Sequence, residues 1–134
     1  MPKIHSVTAA PVDFGVTLPS DVDVDTVNFS SNGLVITLSS AKERKCWELS
    51  FIDVMGHRVL DEGDLLEFWP VCSRPRGSIF QIQAGGWLAQ ESNREGFLLH
   101  HMQPDICEYF VNGSGACVCV LTQSAPEIKA CTQG

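Results

Sequence analysis

Between residues 106 and 121 the sequence leaves little choice of conformation. Two runs rich in β-branched, aromatic and thiol side chains, 106–111 and 116–121, flank Asn112-Gly113-Ser114-Gly115. A short Asn/Gly loop between such runs is the pattern of an antiparallel hairpin, because these residues reach the backbone angles that a tight reversal needs. Cys117-Val118-Cys119-Val120 is apolar on both alternating sets of side chains, so this strand belongs in the middle of a sheet.

Further strands read from alternation. After the turn signal Ser31-Asn32-Gly33, Leu34, Ile36 and Leu38 alternate with Val35, Thr37 and Ser39. Trp47, Leu49 and Phe51 then alternate with Glu48 and Ser50, and the polar loop 40–44 between the two runs predicts that they pair as an antiparallel hairpin. Phe80, Ile82 and Ala84 alternate with Gln81 and Gln83, while Met55-Gly56-His57 reads as a break. Before residue 30, Pro11, Gly15, Pro19 and repeated aspartates interrupt any period. The expectation there is an irregular leading segment, 1–30, with a short edge strand at 4–9 and a strand at 24–29. Residues 125–134 read as a tail.

Two short helices are expected. Asp61 stands where an N-cap would, Asp64 three residues on, and carboxylates in a first turn complement the positive end of the helix dipole. With Pro70 as a stop, this places one helix at 61–69 and puts Leu65, Phe68 and Trp69 on its buried face. The second helix spans 87–95, with Glu91 and Arg94 one turn apart and Gly96 after it. The fold class expected is α+β, mainly antiparallel sheet with two short helices, in a single domain spanning 1–134. A chain of 134 residues is long enough to bury a core without metal or disulfide staples.

The net charge is −7, and it is concentrated. Asp13, Asp21, Asp23 and Asp25 lie in 12–29, and Asp61, Glu62, Asp64 and Glu67 lie in 59–71, with no lysine or arginine in either stretch. Nucleic acids and anionic membranes select basic patches, so neither is the expected partner; a basic protein surface is. No apolar run reaches the roughly 20 residues that span a bilayer, and Met1-Pro2-Lys3 leads into no long apolar stretch. A cytoplasmic protein is expected, its six cysteines reduced and mostly buried.

The residues do not assemble into a known catalytic pattern. His100, His101 and Cys107 are the densest metal-ligating types, but their spacing matches no zinc template, and no metal or other cofactor is expected. There is no G-x-S-x-G, and the glycine pairs lack the Lys and following Ser/Thr of a phosphate loop. The four carboxylates of 61–67 sit in one short segment rather than across a cleft, so capping and a solvated face explain them before acid–base chemistry does. Two alternatives to a binding role remain at this point. One is a small Cys/His hydrolase or transferase whose pocket holds His100 or Cys107. The other is a homodimer built through edge strands and the Cys-rich hairpin.

One ordered set of motifs carries a resemblance. It begins with Asp53-Val54-x-Gly56-x-Arg58-x-Leu60-Asp61-Glu62-Gly63-Asp64-Leu65-x-Glu67-Phe68-Trp69. It continues with Phe80-x-Ile82-x-x-Gly85-Gly86-Trp87-Leu88, Gly96-Phe97 and Glu108-Tyr109-Phe110-Val111-x-Gly113, and closes on Cys117-Val118-x-Val120-Leu121 and Pro126-x-Ile128. This order, over about residues 33–128, resembles small single-domain proteins of Gram-negative bacteria, some of them associated with polymorphic toxin systems as immunity proteins. The resemblance implies a binding role rather than catalysis: neutralising a cognate toxin by direct contact. On that reading Asp61, Glu62, Asp64 and Glu67 are the partner-binding charges, with Asp21, Asp23 and Asp25 as a second surface.

Overall fold

Alternating apolar and polar side chains decide where strands form, and the described residues contain nine strands. The computed structural model describes residues 6–61, 63, 65, 67–73, 77–96 and 105–131. In chain order the strands are β1 (Thr8–Pro11), β2 (Asp23–Ser30), β3 (Gly33–Ser40), β4 (Lys45–Phe51), β5 (Val54–Asp61), β6 (Ile79–Ala84), β7 (Cys107–Val111), β8 (Ala116–Thr122) and β9 (Glu127–Cys131). Helix α1 (Trp69–Cys72) follows β5, and α2 (Trp87–Ser92) follows β6. The strands form a five-stranded sheet in the order β1-β6-β7-β8-β5 and a four-stranded sheet in the order β2-β3-β4-β9. Every pairing is antiparallel. The α+β class, mainly antiparallel with two short helices, is as the sequence predicts.

The two sheets pack face to face, and the five-stranded sheet is covered on both sides. Its inner face sends Ile79, Tyr109, Val111, Val118 and Val120 against Leu34, Ile36, Leu38, Trp47, Leu49 and Phe51 of the smaller sheet. Phe51 and Tyr109 meet across this layer with ring centroids 5.8 Å apart. Its outer face carries Phe80, Ile82, Phe110, Cys117 and Cys119, roofed by Leu65, Phe68 and Cys72. Each fully buried side chain of this size contributes about 1.5–3 kcal/mol relative to leaving it in water. The doubly apolar run 117–120 is thereby explained: β8 is a central strand with a layer on either side. Buried Asn112 ties the outer layer to the hairpin loop. Its side-chain amide donates to the Cys72 carbonyl at 2.8 Å, and its backbone N–H donates to the Ser78 carbonyl at 2.8 Å.

Four sequence expectations need correction. The helix placed at 61–69 is displaced: β5 runs on to Asp61, which pairs with Ala116, and α1 begins only at Trp69, residues 62, 64 and 66 lying outside the described set. Pro70 lies in the first turn of α1 rather than after a helix, where its fixed φ and missing N–H cost nothing. The docking of Leu65 and Phe68 does hold, both being fully buried. Second, Met55-Gly56-His57 does not end a strand. A register shift between Val54 and Gly56 absorbs the irregularity, and β5 continues against β8.

Third, the tail at 125–134 contains β9, which pairs with β4 from Cys46↔Cys131 to Ser50↔Glu127. Five residues with one partly buried apolar side chain, Ile128, carry too little alternation to announce a strand; its partner lies far away in the sequence. Fourth, not all thiols are reduced. Cys46 and Cys131 face each other across β4 and β9 with Cα atoms 5.3 Å apart and are joined as a disulfide. Cys72, Cys107, Cys117 and Cys119 are in no disulfide. Thiol titration of the unfolded, unreduced protein should therefore count four groups, and six after reduction with a dithiol; six without reduction would refute the bridge.

The leading segment is more regular than expected. The edge strand predicted at 4–9 is β1 at Thr8–Pro11, residues 1–5 lying outside the described set, and the strand predicted at 24–29 is β2 at Asp23–Ser30. Helix α2 covers 87–92 of the expected 87–95, and Glu91 and Arg94 pair at 2.7 Å as anticipated.

Candidate binding surface

The topology places the acidic side chains. Asp61 is exposed at the end of β5, its carboxylate accepting the Gly63 N–H at 2.9 Å. Glu67 is exposed in the turn before α1, on the outer layer. Glu62 and Asp64 lie outside the described residues. Asp21 accepts the Ser40 hydroxyl at 2.7 Å and the Lys42 N–H at 3.1 Å. The Ser40 hydrogen bond and then that of Lys42 hold the Asp21 carboxyl below the ordinary carboxylate range. Asp23 accepts the Ser114 N–H at 2.6 Å, and Asp25 accepts the Ser39 hydroxyl at 2.9 Å. Each of these three aspartates thus has a local structural partner as well as a charge.

Two acidic segments that are distant in sequence meet around one hairpin. Asp23 is bonded to Ser114 in the β7–β8 loop, and Asp61 pairs with Ala116 at the start of β8. β2 and β5, the edge strands of different sheets, therefore flank one side of the sandwich with Asp23 and Asp61 at the same end. Further along, Phe29 of β2 reaches across to stack on His57 of β5, centroids 5.2 Å apart and planes at 28°. Glu67 does not join this side; it lies with the layer over the opposite face of the five-stranded sheet. The exposed aromatic Phe29 was missed in the sequence, where it reads as one more alternating residue of a strand.

A second cluster lies on the outer face. Glu108 is only 2% exposed and shares the outward set of β7 with Phe110. Its two carboxylate oxygens accept the N–H groups of Trp87 (2.9 Å) and Leu88 (2.8 Å), the first residues of α2. A side chain from a neighbouring strand thus satisfies donors that a short helix leaves open at its N-terminus. Burial pushes the Glu108 carboxyl up, against the opposing pull of those two N–H groups and Arg58. Arg58 lies 4.9 Å from the centre of the Trp87 ring, a cation–π distance, while its buried Nε has no hydrogen-bond partner among the described residues.

Trp87 Nε1 donates to Glu91 at 3.1 Å, and Glu91 also holds Arg94; chiefly through Arg94, its carboxyl is lowered. Beside Arg58, burial pushes the Cys119 thiol up to about 11, which keeps it a thiol and a poor nucleophile at neutral pH. A cleft of about 170 Å³ between β6 and α2 is lined by Ile82, Gly86, Leu88, Ala89, Ser92 and Glu108. The sequence carried one signal of this cluster: a single carboxylate inside the otherwise apolar run 106–111.

Of the groups of the catalytic alternative, only Cys107 falls among the described residues. His100 and His101 lie outside the described residues; Cys107 is half-buried on the inner face, and its sulfur contacts the Asp105 carbonyl at 3.6 Å. The described residues contain no cluster of three metal-ligating side chains. The Cys-rich hairpin occupies the middle of the larger sheet, so it offers no free edge for a dimer. No helix among the described residues is long and apolar enough to cross a membrane. No protein-family model, no curated protein and no solved structure matches the chain.

Proposed function

We propose that this chain is an immunity protein, a binding protein that neutralises a cognate toxin by direct contact with the toxin's basic surface. The observation that carries the reading is the division of labour among charged groups. The interior ones, Glu108 and Arg58, are engaged in fixing α2 to the sheet. The surplus carboxylates stand at the surface, Asp25, Asp61 and Glu67 among them, in a chain of net charge −7. Such a surface raises the encounter rate with a cationic partner and orients it, while repelling acidic competitors. Contact then occludes the toxin without any covalent step.

The test is to express each protein encoded beside this chain's gene with and without the chain, seeking a toxic one and reading cell survival and co-purification. Survival and a stable complex are expected; a toxin that kills equally with and without the chain would end this reading. Reversing Asp25 and Asp61 to lysine should slow association with that toxin by about tenfold at low salt and reduce its salt dependence. Stopped-flow association at two ionic strengths measures both. Unchanged rates would remove these residues from the encounter surface.

A further inference from the structure

We propose that the side of the sandwich formed by β2 and β5 is the docking surface, and that it takes a cationic extended segment of a protein partner as an added strand along β5. This deepens the binding role proposed above and rests on the same preference for a basic partner.

Sheet edges are normally guarded, because their unpaired N–H and C=O groups recruit other strands. The four edges here are guarded unequally. β1 is four residues long and ends in Pro11. β9 is five residues long, is fastened to β4 by the Cys46–Cys131 bridge, and carries Lys129, which pairs with Glu48 at 3.4 Å. β2 bears Asp23 and Asp25. β5 is eight residues long, pairs only with β8 among the described residues, and ends in Asp61. Its cation, Arg58, faces the outer layer at Trp87, so it does not block the side that β5 shares with β2.

The apolar surface lies beside the same edge. Four large hydrophobic side chains are exposed among the described residues, and two of them, Phe29 and Val59, lie along this side, with Ile52 at its far end. Phe29 is 56% exposed and stacked on His57, Val59 is 46% exposed, and Ile52 is 68% exposed in the turn that leads into β5. An added strand gains main-chain hydrogen bonds from the edge and side-chain contacts from alternate positions. Phe29 and Val59 would supply those contacts, an aromatic being the usual energetic centre of an interface.

Charge chooses the occupant. Asp23 and Asp61 border this side, tied to it through Ser114 and Ala116, and a lysine or arginine on the incoming strand would face them, while Asp25, bonded to Ser39 on the outer face of the smaller sheet, does not. A second copy is disfavoured because it would bring another net charge of −7 to the same surface.

The probe is a blocked eight-residue peptide alternating valine and lysine, compared with its valine–glutamate counterpart. Hydrogen exchange should show the lysine peptide slowing the amides of 54–61 and leaving 127–131 unchanged, while the glutamate peptide has no effect. Phe29→Ala and Val59→Lys, both at exposed positions, should keep the melting temperature within a few degrees and weaken the lysine peptide about tenfold each. Protection appearing on β9 or β1, equal binding of both peptides, or unchanged affinity in both variants would overturn the proposal. So would a dimer by sedimentation that protects 54–61 without peptide. The cognate toxin separates the two levels: binding unaffected by both variants refutes this surface but keeps the function, whereas peptide binding without toxin binding refutes the function and keeps the surface.

Discussion

Phe110→Ala is expected to cost about 3–5 kcal/mol, the range for emptying a fully buried aromatic site. Phe110 is completely buried on β7, its ring stacked on Phe68 at 4.7 Å with planes 5° apart and met edge-on by Trp69 at 6.0 Å. Both partners come from the short segment that roofs the outer face, and α1 has only four residues with no side-chain cap. Such a helix has almost no stability of its own, so its position depends on this aromatic contact. Against a total stability of about 5–15 kcal/mol, the loss is a large fraction of the whole. Urea denaturation measures it, and hydrogen exchange should show amides of 68–72 opening before those of β7 and β8. A loss below about 1 kcal/mol would mean that the roof is held by something other than this stack.

Glu108→Ala is expected to cost about 2–3 kcal/mol, since it strips a charge-assisted acceptor from two backbone N–H groups at once. Arg58 also loses an opposite charge. The pH dependence separates the roles of this carboxyl. Burial raises its folded pKa above the unfolded value, so its stabilising contribution is complete below the unfolded pKa and is lost as pH rises through the folded one. Asp21 and Glu91 have lowered values, so theirs is present above the unfolded pKa and lost as pH falls through the folded one. The wild-type denaturation midpoint should therefore decline as pH climbs just above the ordinary carboxylate range. Glu108→Gln should flatten that decline while keeping the acid limb from Asp21 and Glu91. A Gln variant with the wild-type profile would show that Glu108 does not titrate in that window.

The readable parts of this fold were those whose information is local. β3, β4, β6 and the β7–β8 hairpin each announce themselves through alternation and turn residues within a few positions. The misread parts depend on distant partners. Asp61 carries a capping signal for a helix, yet 59–61 pair with 116–118, and that pairing wins because it extends a sheet with a covered outer face. β9 exists because β4 has an edge to offer. The candidate surface divides in the same way. The acidic stretches were visible as charge, but their meeting at the hairpin through Ser114 and Ala116, and the pairing of Phe29 with His57, require the topology. Glu108 was hidden for a related reason: the donors it satisfies belong to a helix some twenty positions earlier.

The pairing of β4 with β9 also sets an order of events during synthesis. Everything from β5 to β8, four of the five strands of the larger sheet, is made between the two halves of that pairing. A nascent chain therefore displays β3 and β4 as a hairpin with one bare edge until residues 127–131 leave the ribosome. β9, emerging just after β8, then closes that edge as a clasp, and the Cys46–Cys131 bridge joins the two strands it brings together.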